Sequence, residues 1–184
     1  DIMNQEKSAI AKYCVAASII ILLLNLACSY ILGLSEDGAH YALYATHLDW
    51  GYVDHPPLSG WLQAIVMHVF GGSNIAMHLS AFISSVFILV TTFFLAKEIY
   101  PERGCNFAYI CVLASFMAAV FFALTIIILP QNPLRLFGLL SCLFYLRATK
   151  THSPVYFILT GICLGLCGLS DFTAILIAIG LTIY

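Results

Sequence analysis

Two long apolar runs, residues 9–34 and 75–96, constrain the fold more than any other feature of the chain. The first is interrupted only by Lys12, Tyr13, Ser18, Asn25, Ser29 and Tyr30. A helix of about 20 apolar residues crosses the hydrocarbon of a bilayer, and both runs reach that length. In lipid the backbone must satisfy its own hydrogen bonds, so such runs are helices. A chain with 62% hydrophobic and 9% charged residues has too little polar material to surface a soluble domain. The expected class is therefore all-α, a polytopic helical membrane protein with membrane lipid as its surroundings. A net charge of −2 and the lack of a long basic run exclude nucleic acid as a partner.

Further spans are expected at 107–129, 134–147, 155–169 and 172–184, giving about five to six in one transmembrane domain. The sequence KEIYPERGCN after the second span marks a short polar turn, and PQNP at residues 130–133 ends the third, because proline lacks a donor and restricts its predecessor. Residues 35–73 form a loop with juxtamembrane helices; within it Leu58 to Phe70 is too short to cross and is closed by Gly71 and Gly72. The chain starts at Asp1 and stops inside an apolar run, as expected for part of a longer polypeptide.

Cations orient the spans. Lys7, Lys12, Lys97, Arg103, Arg147 and Lys150 fall on alternate ends, which are expected to be cytoplasmic. The opposite face receives residues 35–60, which carry Glu36, Asp37, Asp49, Asp54, His40, His47 and His55 without a lysine or arginine. It also receives the PQNP turn and the Ser170–Asp171 break. Asp37, Gln131, Asn132, Arg135 and Asp171 thus converge on one membrane face, and ionisable groups there are costly enough to mark a functional site.

The seven cysteines lie in or beside apolar stretches and give no disulfide or zinc pattern; Cys163 and Cys167, one turn apart, read as packing residues. No cofactor is firmly implied. His47, Asp49, Asp54 and His55 have the chemistry to bridge a divalent metal, yet their spacing matches no metal motif and favours hydrogen bonds that shape the loop. Tyr41, Tyr44, Trp50, Tyr52 and Trp61 suit either a membrane interface or stacking on a sugar, with the interface favoured.

The stretch DGAHYALYATHLDWGYVDHPPL, Asp37 to Leu58, resembles the first extracytoplasmic loop of membrane glycosyltransferases of the protein O-mannosyltransferase and lipid A aminoarabinose transferase type. The resemblance implies a GT-C fold, of which this chain is the N-terminal part, in a bacterial inner (cytoplasmic) membrane with the acidic loop extracytoplasmic. It implies inverting transfer of a sugar from a polyprenyl-phosphate donor, with Asp37 at the position of the general base. Glu36, His55, Gln131, Arg135 and Asp171 are the expected substrate-binding residues, Arg135 as the contact for the donor phosphate. Three positions depart from the family's pattern. Gly38 stands for a glutamate, Gln131 for an acidic residue in a proline-flanked turn, and Asp171 for a basic residue.

Those departures leave two readings of function. One is an active glycosyltransferase. The other is a catalytically degenerate relative kept as a structural or accessory subunit of a larger membrane-protein complex.

Overall fold

A computed structural model of the chain describes residues 2–117 and 129–184. Its elements are α1 (Ile2–Leu32), α2 (Glu36–Thr46), α3 (Leu58–Phe70), α4 (Asn74–Ile99), a 3₁₀ turn (Pro101–Arg103), α5 (Gly104–Met117), α6 (Gln131–Thr151), α7 (Pro154–Gly168) and α8 (Ala174–Ile183). Among the described residues there is no strand. The third expected span, 107–129, corresponds in its first part to α5, while residues 118–128 lie outside the described residues.

The burial pattern is that of a protein solvated by lipid. In α1 the buried positions are Cys14, Ser18, Asn25 and Ser29, whereas Ile19, Ile20, Leu23 and Leu24 are exposed. In α4 the buried set includes Ala81, Ser84, Ser85 and Thr91, and Phe87, Val90 and Phe94 face outward. Small and weakly polar residues inside let helices approach closely, and large apolar residues outside cost nothing in hydrocarbon. Several hydroxyls inside are satisfied along the helix: Ser29 donates to the Asn25 carbonyl at 2.9 Å, and Ser85 to that of Ala81 at 2.8 Å. The segments Ala11–Ile31 and Asn74–Ile99 are long and apolar enough to cross a membrane.

Helix α6 begins at Gln131, earlier than the apolar run, with Pro130 as N-cap. Prolines suit a first turn, whose amides have no intrahelical acceptor, so PQNP starts this helix. At its far end His152 takes the left-handed conformation (φ 52°) and returns the chain into α7.

Short polar ties set the loop region on this frame. Ser35 caps α2, accepting from the Gly38 amide at 3.0 Å, and Ser73 caps α4. Glu36 and Asp37 then occupy the first turn of α2, where the helix dipole favours negative charge. Asn74 donates to the Tyr30 carbonyl at 2.9 Å, joining the start of α4 to the end of α1. The fully buried Gln63 of α3 donates to the Met77 carbonyl at 3.0 Å and accepts from Ser80, fixing α3 against α4.

At the opposite end of the bundle Glu98 of α4 receives Arg147 Nε at 3.2 Å and Lys150 Nζ at 3.0 Å from α6. The carboxylate there is matched by two cations.

Candidate functional site

The loop end is held by aromatic and carboxylate side chains. His40 and Tyr44 lie one turn apart on α2, which aims both at Asp54 in the returning loop. The Tyr44 hydroxyl donates to Asp54, and His40 Nε2 lies 2.9 Å from that hydroxyl and 3.3 Å from Asp54 Oδ2. The Tyr44 bond holds the Asp54 carboxyl below its ordinary range despite partial burial, with lesser help from backbone, His40 and His55. Burial, followed by that same hydrogen bond, pushes the Tyr44 phenol up. Tyr52 stacks on Tyr44 with ring centroids 3.7 Å apart and donates to the Tyr44 carbonyl at 3.0 Å.

Gly60 makes this stack possible. A Cβ there would stand 2.9 Å from the Tyr52 hydroxyl and 3.0 Å from Tyr44 Cβ, so only glycine lets α3 approach α2 this closely. Farther along the loop Trp61 donates to the Asp49 carbonyl at 3.0 Å, and Trp50 packs edge-on against Trp61.

The loop then meets the break between α7 and α8. His55 Nε2 is 4.0 Å from Asp54, and His55 Nδ1 is 3.9 Å from Asp171 Oδ2. Asp171 is 6% exposed; its Oδ1 accepts from the amide and the hydroxyl of Thr173, each at 2.8 Å. Its Oδ2 takes a long bond of 3.5 Å from Gln131 Nε2. Tyr41 sits among these groups, edge-on to His55, and its phenol is raised by burial and then by the charges of Asp54, Asp37 and Asp171.

The structure thus brings His55, Gln131 and Asp171 into contact. Glu36 and Asp37 lie exposed in the first turn of α2; Asp37 is near enough for its charge to act on Tyr41, and it forms no ion pair among the described residues. Arg135 is placed differently, one turn farther into α6, where it lines a cavity of about 500 Å³ with Thr92, Ser115, Gly138 and Ile177.

The metal quartet does not assemble. Among the described residues no three His, Cys, Asp or Glu side chains are arranged to hold a metal ion. His47 bonds Thr46 at 2.8 Å, while Asp54 is engaged by Tyr44 and His40. The residues present do not fit a divalent site, and no step is assigned to one. The roles of His40 and Tyr44 escaped sequence reading. Their spacing of four on an acidic helix was the available signal, but their acceptor lies ten residues beyond Tyr44.

Apolar helices with small polar interiors and polar ends define a helical membrane protein. Comparison with protein families narrows this. The model of the dolichyl-phosphate-mannose-protein mannosyltransferase family matches residues 54–184, and the chain belongs to that family. It is thus a member of a GT-C type glycosyltransferase family. No curated protein and no solved structure matches the chain. The match takes in His55, Gln131, Arg135 and Asp171, whereas Glu36 and Asp37 precede it.

Proposed function

We propose that the chain is the N-terminal part of an enzyme that transfers a sugar, with inversion, from a polyprenyl-phosphate donor to an acceptor at the extracytoplasmic face of a bacterial inner membrane. The observation that carries this reading is the family match over 54–184, which contains the polar residues clustered at the loop end. Asp37, exposed in the first turn of α2, is the general base on this reading. In the displacement an acceptor heteroatom attacks the anomeric carbon, the bond from that carbon to the phosphate oxygen breaks, and the phosphate leaves with the electron pair. The acceptor's proton passes to Asp37. A guanidinium suits the departing phosphate, and Arg135 is the candidate at membrane depth.

The test is transfer from polyprenyl-phosphate mannose by the full-length protein in proteoliposomes, with the anomeric configuration of the product determined. Transfer with inversion is expected. Retention of configuration, or no transfer from any polyprenyl-phosphate sugar tried, overturns the reading.

One observation favours the degenerate alternative. Asp171 spends its Oδ1 on the turn at Thr173 and meets an amide at Gln131, so both altered positions serve packing. On that reading the protein is a subunit that co-purifies with unrelated membrane proteins and carries no lipid-linked sugar, which native mass spectrometry would read directly.

A further inference from the structure

Residues 55–58 and 169–171 are tied at two points. Pro56 and Pro57 are buried and have no amide hydrogen, so this stretch of loop can press against the bundle without orphaning a donor. The next amide, Leu58, donates to the Leu169 carbonyl at 2.9 Å. That carbonyl is available because α7 ends at Gly168, leaving its last carbonyls without helical donors. The second tie is an ion-pair approach and not a hydrogen bond: His55 Nδ1, a buried nitrogen with no hydrogen-bond partner among the described residues, lies 3.9 Å from Asp171 Oδ2, within reach of the carboxylate when the imidazole is protonated. Asp171 is poorly placed to touch a substrate, being 6% exposed with Oδ1 accepting twice from Thr173. Its Oδ2 faces Gln131 and His55 instead.

We propose that Asp171 is a positioning residue: it clamps the 47–57 loop, through His55, onto the α7–α8 break and so sets where α2 presents Asp37. The loop reaches α2 through Asp54, which binds His40 and Tyr44 one and two turns beyond the start of that helix. A shift of the clamp therefore moves the helix that carries Asp37. The link to Asp37 rests on the transferase reading; the clamp itself does not.

The experiment uses the full-length protein in lipid nanodiscs and compares wild type, Asp171→Asn, His55→Gln and the double variant. Asp171→Asn keeps an oxygen for Thr173 while removing the anionic oxygen that faces His55, so the start of α8 is preserved. Amide hydrogen exchange of the segment containing Leu58 is expected to quicken by about tenfold in each single variant, with the rest of the bundle unchanged. Because both side chains act through one contact, the double variant should exchange no faster than either single. In transfer assays kcat should fall while KM for the donor stays the same. Unchanged exchange at Leu58, or single effects that add in the double variant, overturns the clamp. A raised KM with unchanged exchange overturns it in favour of a direct substrate contact. Should wild type transfer no sugar while the exchange results hold, the clamp stands and the transferase reading falls.

Discussion

The two ends of the bundle handle carboxylates in opposite ways. At one end Glu98 meets Arg147 and Lys150, and its charge is neutralised across α4 and α6. At the other end Asp54 is held by a phenol and an imidazole, Asp171 by a turn and an amide, and Asp37 by no cation among the described residues. Matched charges staple helices and do little else. The carboxylates of this other end keep their negative charge in play, and three of them, Asp54, Asp37 and Asp171, act on the buried Tyr41. The difference separates an end neutralised by ion pairs from an end that keeps its negative charge.

That contrast can be broken by substitution, beginning with the closest packing. Gly60→Ala forces a methyl group against the Tyr44–Tyr52 stack and should destabilise the protein by about 2 kcal/mol. Gly138→Ala serves as its control, since the tight contact of the new methyl is with the flexible tip of Ile177 and its approach to Cys167 is ordinary van der Waals contact. Thermal unfolding in detergent should rank Gly60→Ala well below Gly138→Ala. Next, Tyr44→Phe removes the main donor to Asp54 and should cost about 1 kcal/mol, discounted because Asp54 is partly exposed. The protein's two tryptophans, Trp50 and Trp61, both lie in this region, so intrinsic fluorescence reports the loosening.

Smaller effects sharpen the comparison. Glu98→Gln leaves Arg147 and Lys150 near a neutral amide and should cost about 0.5 kcal/mol, an effect that salt weakens. Titration with acid should act on the other end. The folded Asp54 carboxyl lies below its ordinary value of 3.8, so its contribution is complete above that value and is lost as pH falls through the depressed folded value. The change in tryptophan fluorescence that Asp54 brings should therefore appear only below about pH 4. In Tyr44→Phe the change should begin at higher pH, because the hydrogen bond that lowers Asp54 has gone.

Much of the fold was legible because lipid imposes a simple rule on the sequence. Apolar length pointed to helices at 9–34 and 75–96, where the structure has α1 (Ile2–Leu32) and α4 (Asn74–Ile99), and the paired glycines after Phe70 marked the end of α3. The extra length of α6 was hidden because its first turn is polar, QNP, and reads as a break. Convergence of Gln131 and Asp171 followed from topology alone, since alternation of the spans carries both to one face. The Asp54–Tyr44–His40 cluster could not be read in advance: it depends on how a ten-residue excursion folds back, which no periodicity encodes. The pairing of Glu98 with Lys150 spans 52 positions and was equally hidden, although its cations had marked that end.

The most direct test sets the two ends side by side in the full-length protein: transfer from polyprenyl-phosphate mannose by Asp37→Asn and by Glu98→Gln, with hydrogen exchange as the check on folding. A loss of at least about 100-fold is expected for Asp37→Asn with exchange unchanged, and a rate within about twofold of wild type for Glu98→Gln. Wild-type transfer by Asp37→Asn would contradict the assignment of the loop end as the place where the proton is taken.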